Sequence, residues 1–160
     1  MEKEIIFLTK DGHALMNKEL EKTKKILYEE IPNKLKISKT SNGDLRENKD
    51  HMYLQSEQQY YEREVRRLTS ILEAAEIISS EDISDDEIGI GSSFILEIKE
   101  IKETGTFSLV NPVEVDLEKG KISTASPVGN ALIGKRKGAK VVVALSAGKV
   151  HLRVIAINKK

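Results

Sequence analysis

Ser41-Asn42-Gly43-Asp44-Leu45-Arg46-Glu47-Asn48 stands between two long stretches of helical periodicity, and its reading decides the fold. Upstream, Met16, Leu20, Thr23 and Leu27 recur at spacings of four, three and four, as positions on one helical face do. Ile31 and Leu35 continue the series with a slip in register beside Pro32. Proline has no amide proton, so it removes a helical hydrogen bond and predicts a kink at that point. Thr9 is placed to cap the start of the helix. Downstream come Leu54, then Tyr61, Val65, Leu68, Leu72 and Ala75, the last five alternating in spacing as a coiled-coil seam does. Ser41-Asn42-Gly43 has the composition of a turn. A short turn between two such helices makes them antiparallel. At about 1.5 Å per residue the arm from Thr9 to Ser41 measures about 50 Å. No third helical segment follows to cover it, so the turn is expected to protrude into solvent.

The character of the chain changes near residue 80. Glu81, Asp82, Asp85, Asp86 and Glu87 crowd a stretch from Ser79 to Ile88 that reads as a solvated linker. This predicts two domains, residues 1–79 and 80–160. In the second, Phe94, Leu96 and Ile98 alternate with polar neighbours, as do Phe107 with Leu109 and Val150 with Leu152 and Val154. Val141-Val142-Val143 reads as a buried strand, Asn111-Pro112 as a strand end, and Ser146-Ala147-Gly148 as a turn. Ser126 suits a helix N-cap, Pro127 the first helical position and Gly134 the stop. The fold class is α+β: a helical hairpin, then an antiparallel sheet crossed by one short helix.

Composition narrows the chemistry. The 160 residues carry 26 basic and 26 acidic side chains, a formal net charge of +0, so affinity for nucleic acid has to come from a local patch. There is no cysteine, which excludes disulfides, thiol catalysis and cysteine-ligated zinc. Met1-Glu2-Lys3-Glu4 lacks the basic flank and apolar run of a signal peptide, and no apolar run is long enough to span a bilayer. A soluble, cytoplasmic protein without membrane contact is expected. His13, His51 and His151 have no metal-ligand spacing. Gly129 to Arg136 nearly matches a phosphate-binding loop but has Arg136 where a Ser or Thr would hold Mg²⁺. Lys135, Arg136, Lys137 and Lys140 cluster after the short helix, as a solvated loop does.

Asp44 and Glu47 are three residues apart at the start of a helix, and such residues share a face. Together they can present oxygens to a hard cation such as Mg²⁺, although two carboxylates cannot complete its octahedron. The same spacing is that of a capping box, which only starts a helix. The residues alone leave both readings open.

A resemblance bears on the choice. Gly43-Asp44-Leu45-Arg46-Glu47-Asn48 resembles the Gly-Asp-Leu-x-Glu-Asn signature of the bacterial GreA/GreB transcript-cleavage factors. Ser126-Pro127-Val128-Gly129-Asn130-Ala131-Leu132-Ile133-Gly134-Lys135 resembles their second signature, Ser-Pro-Ile-Gly-x-Ala-Leu-x-Gly-Lys. Both occur in the family's order, and the similarity covers essentially the whole chain. The resemblance implies a hairpin that enters the secondary channel of RNA polymerase and a C-terminal FKBP-like domain that docks at its mouth. It implies that Asp44 and Glu47 help the polymerase hold its second Mg²⁺, whose water hydrolyses backtracked nascent RNA near the 3′ end, with the metals about 4 Å apart. The chain is then not itself an enzyme. Its expected partners are RNA polymerase and the 3′ end of the nascent RNA, and it is expected to be a monomer. Leu45 leans toward the GreA type.

Some positions depart from the family pattern. The stretch after the tip is Lys49-Asp50-His51-Met52-Tyr53, where the family has one like Ala-Glu-Tyr-His-Ala. Lys39-Thr40 replaces an Ala-Arg pair, and Gln55 replaces a basic residue. Lys36, Lys39, Arg46 and Lys49 are the basic residues left to contact RNA or polymerase. Two rival readings follow. One is a paralogue of the same fold that occupies the channel without promoting cleavage; the other is a prolyl isomerase or chaperone, which needs an aromatic pocket, whereas the C-terminal half offers Phe94 and Phe107.

Overall fold

The computed structural model describes residues 4–40 and 45–158, and of residues 40 and 45–48 the backbone alone. The chain divides into two compact units. One holds His13–Ala75; the other holds Glu4–Gly12 together with the chain from Glu76 onward.

The first unit is helical. Helix α1 is Lys10–Lys25, whose first turn belongs to the second unit; α2 is Ile31–Thr40 and α3 is Leu45–Ala74. Thr9 caps α1 as expected, its Oγ accepting from the Gly12 amide at 3.0 Å. Between α1 and α2 the chain forms a π-helical turn, Ile26–Glu30, in which the Ile31 amide donates to Ile26 five residues back. This turn is the physical form of the expected break at Pro32. The proline ring clashes with the carbonyl four residues earlier, that of Tyr28, and a wider turn relieves the clash. The extra residue also explains the slip between Leu27, Ile31 and Leu35. Leu20, Leu27, Val65 and Leu68 form the seam, flanked by Tyr61 and Leu72. Each leucine buried this way contributes about 1.5–3 kcal/mol. Burial pushes the Tyr61 phenol above its ordinary pKa, with Glu57 adding to the effect.

The second unit contains two sheets. Strands β1 (Ile6–Leu8) and β2 (Ala75–Ile77) pair with each other, and the Ile78 amide donates to the Leu8 carbonyl at 2.8 Å. The segment Glu4–Gly12, assigned from sequence to the hairpin, therefore belongs here. The main sheet has the order β5-β4-β3-β7-β6, with β3 Ser93–Ile98, β4 Glu103–Val110, β5 Lys121–Ser123, β6 Lys140–Leu145 and β7 Gly148–Asn158. It is mostly antiparallel. The exception is β5, which the pattern did not predict: it runs parallel to β4 because a 3₁₀ turn at Pro112–Glu114 and a second turn before Lys121 bring the chain back alongside. Helix α4 (Pro127–Leu132) packs on one face, and Phe94, Leu96, Leu109, Leu132, Val141, Val143, Leu152 and Val154 fill the core beneath it.

Two sequence expectations change. The acidic stretch is pinned as well as solvated: Ile83 and Ile88 are buried, the latter in the main core, and Arg136 pairs with Glu87 at 2.8 Å. The three-valine run is not buried throughout. Val141 and Val143 point inward while Val142 is 55% exposed, because β6 is an edge strand covered on one face only.

Candidate functional site

The acidic signature falls where one helix ends and the next begins. Helix α2 stops at Thr40 and α3 starts at Leu45, so Glu47 lies in the first turn of α3. Asp44, the residue before Leu45 in the sequence, lies outside the described residues, as do the Ser41-Asn42-Gly43 turn and the side chains of Arg46 and Glu47. Among the basic candidates, Lys36, Lys39 and Lys49 are all exposed, and Lys39 sits in the last turn of α2. Cations there favour the negative end of the helix dipole and remain available to an anionic partner. Among the described residues no three His, Cys, Asp or Glu side chains are grouped to hold a metal.

Just below the tip the two helices are joined by a polar contact. His51 Nδ1 lies 3.5 Å from Ser38 Oγ, and His51 Nε2 lies 3.2 Å from Gln55 Nε2. Ser38 Oγ in turn donates to the Leu35 carbonyl at 2.9 Å. The serine proton is thus committed, so Nδ1 has to donate to Ser38 and Nε2 has to accept from the Gln55 amide. With this amide orientation the neighbours assign the ring proton to Nδ1. Met52 and Tyr53, next in sequence, are 62% and 64% exposed. Farther along α3, Arg67 binds Glu64 with its fork. That hydrogen bond holds the Glu64 carboxyl below its ordinary pKa and raises Arg67.

Comparison with known families places this geometry. The profile described as "Transcription elongation factor, N-terminal" matches residues 6–77, and "Transcription elongation factor, GreA/GreB, C-term" matches residues 83–159. The chain belongs to the GreA/GreB family of transcription elongation factors. It is 36% identical to transcription elongation factor GreA of Syntrophomonas wolfei over 159 residues, covering 99% of this chain and 98% of that protein. It is 33% identical to GreA of Thermoanaerobacter pseudethanolicus over 154 residues, covering 96% and 98%. Among solved structures, GreA factor homolog 1 of Thermus thermophilus aligns at 30% identity and a TM-score of 0.44, covering 96% of this chain and 99% of that one. A GreA/GreB factor from Nitrosomonas europaea aligns at 19% identity and a TM-score of 0.42, covering 96% and 98%.

The second Gre signature has a structural role in this chain. Ser126 Oγ accepts from the Gly129 amide at 3.0 Å and caps α4, with Pro127 at the first helical position. A Cβ on Gly129 would lie 1.9 Å from the Ser123 carbonyl oxygen, so no larger residue fits there. The Gly134 amide donates to Ile88, and the Ile88 amide to the Lys135 carbonyl, tying the motif to the end of the acidic stretch. Residues 129–132 are helical, which removes the phosphate-loop reading.

Sequence reasoning missed His51 as a contact across this Gre-family hairpin. The signal was available: stepping back from Leu54 by three residues continues the alternating seam to position 51.

Proposed function

We propose that this chain binds RNA polymerase, inserts its hairpin tip toward the active centre and stimulates the polymerase's own cleavage of backtracked nascent RNA. One observation carries the reading: in a member of this family, the Gly43 to Asn48 signature spans the junction between the two helices of the hairpin. Asp44 and Glu47 are the residues that would hold Mg²⁺ jointly with the polymerase. Their hard carboxylate oxygens suit that ion, and two of them leave most of its coordination to other ligands. The bound ion supplies Lewis-acid activation of water for phosphodiester hydrolysis. The chain contributes negative charge at a defined place, and the exposed Lys36, Lys39 and Lys49 contribute attraction for RNA phosphates or polymerase carboxylates.

The test is RNA cleavage in a purified backtracked elongation complex with Mg²⁺, with and without the protein. Faster cleavage that is lost in Asp44→Ala and in Glu47→Ala, while both variants still bind polymerase, is the expected result. Unchanged stimulation by both variants would reduce the two carboxylates to helix caps. A second reading, occupation of the channel without cleavage, is favoured by the contact of His51 with Ser38 across the hairpin, His51 being part of the Lys49 to Tyr53 segment that departs from the family pattern. Binding without faster cleavage would select it.

A further inference from the structure

Strand β6 is the terminal strand of the main sheet, and among the described residues it pairs with β7 alone. Which of its backbone groups face outward follows from the hydrogen bonds of β7. The His151 amide donates to Glu100 at 2.9 Å and its carbonyl accepts from the Lys99 amide at 3.1 Å, so both groups point away from β6. Val142, the partner of His151, is therefore in a non-hydrogen-bonded pair. By alternation the outward-facing N–H and C=O groups are those of Lys140, Val142 and Ala144. All three side chains are exposed and stand on the solvent face of the sheet. No proline or acidic residue interrupts this edge, and it carries no bulge against β7. Such an edge is a template for another strand.

The adjoining surface has a definite charge. A groove of about 410 Å³ runs over β6, β7 and β3. Lys99, Lys102, Lys140 and Arg153 line it with His151, against two carboxylates: Glu97, across from Arg153, and Glu100, bound to His151 at its margin. Lys140 stands directly across from Arg153, and Ala144 from Lys149. A second copy of this chain added at β6 would bring two such cationic edges together, which is unfavourable. A single-stranded nucleic acid would find phosphate partners, but no Phe, Tyr or Trp lines the groove as a platform for its bases, the one ring there is the His151 imidazole, and it would leave the open amides unused.

We propose that β6 accepts an extended acidic polypeptide segment of a partner protein as a sixth strand of the sheet. Its backbone pairs with Lys140, Val142 and Ala144, and its carboxylates, at every second residue, face Lys140, Arg153 and Lys149. The proposal does not depend on the cleavage reading.

The experiment uses the full chain, ¹⁵N-labelled, titrated with an eight-residue peptide alternating glutamate and threonine. Binding below about 1 mM is expected, with shift changes centred on β6 and slowed solvent exchange at the Val142 and Ala144 amides. The same peptide N-methylated at alternate residues should fail to slow that exchange, a control that leaves the protein unchanged. Lys140→Glu combined with Arg153→Glu should weaken binding about tenfold or more. Val142→Pro, which removes an outward amide and no bond to β7, should weaken it several-fold. The proposal would be overturned by no binding at that concentration, by shifts over β3 and β7 without protection of the β6 amides, or by equal competition by an oligouridylate of the same charge. Self-association through β6 in the absence of peptide would assign the edge to a second copy instead.

Discussion

Thr9 and Glu114, 105 residues apart in the chain, are bound to each other twice: the Thr9 amide donates to Oε2 at 3.0 Å and the Thr9 hydroxyl to Oε1 at 2.5 Å. Glu114 is only 8% exposed, so its charge relies on these donors. Thr9 simultaneously caps α1 through the Gly12 amide. The carboxylate fills the space beside Gly12, where an added Cβ would meet Oε1 at 1.5 Å. Glu114→Ala should lower stability by about 2–4 kcal/mol, and Gly12→Ala by about 1–3 kcal/mol through overpacking. The two changes should not add: once Glu114 is shortened, the methyl group at position 12 has room. Denaturant unfolding of the two single variants and the double variant measures this, and full additivity would contradict the arrangement.

This pair also marks what the sequence did not reveal. The hairpin was legible because its information is local: apolar residues at Leu20, Leu27, Val65 and Leu68 recur with the helical period, and Thr9 needs only Gly12 three residues on. Glu114 carries no comparable sign, since its partner lies in the other half of the sequence. The same holds for β5, whose pairing with β4 depends on a turn path rather than on alternation, and for β1 and β2, too short to show a period. Of the candidate site, the acidic pair was legible as a pattern, and the start of α3 that holds Glu47 followed from the flanking heptads, while Asp44 lies outside the described residues. The choice between capping and metal binding was not legible, because both uses require the same two side chains at the same spacing.

The hydrogen-bond order around His51 can be read directly. Gln55 donates to Nε2, Nδ1–H donates to Ser38, and Ser38 donates to Leu35. Long-range ¹H–¹⁵N spectra at neutral pH should show the Nδ1–H tautomer. Ser38→Ala removes its acceptor and should shift the ring toward Nε2–H, the more common form in water. An Nε2–H ring in the unaltered protein would mean that the Gln55 amide is turned the other way and that the chain of donors is broken.

Glu100 gives the fold a defined acid response. Its carboxylate accepts from the His151 amide and lies 2.6 Å from His151 Nδ1, and the bond from that ring holds the carboxyl below its ordinary pKa. A depressed folded-state value means that the ionised form is favoured by folding. The contribution is therefore complete above the unfolded carboxylate pKa and is lost as pH falls through the lower, folded value. Glu64, depressed by Arg67, acts with the same sign. In urea titrations from neutral to acid pH, Glu100→Gln and Glu64→Gln should each lessen the loss of stability at the acid end. A steeper acid loss in either variant would contradict the assignment.

Gly129 separates the structural from the functional content of the second Gre signature. Its missing side chain faces the Ser123 carbonyl oxygen, which is backbone held by two bonds, from the Ser126 amide at 3.1 Å and the Ser126 hydroxyl at 2.7 Å. A rigid neighbour cannot yield as a flexible side chain would. Gly129→Ala should therefore displace α4 from the sheet and lower stability by about 1–3 kcal/mol or more. At this size that is about 2–4 °C in Tm for each kcal/mol. Asn130, on the exposed side of the same helix, meets no such constraint, and Asn130→Ala should leave Tm almost unchanged. Calorimetry of the two variants distinguishes the cases. If Gly129→Ala unfolds with the unaltered protein, close packing against Ser123 is not what the glycine provides.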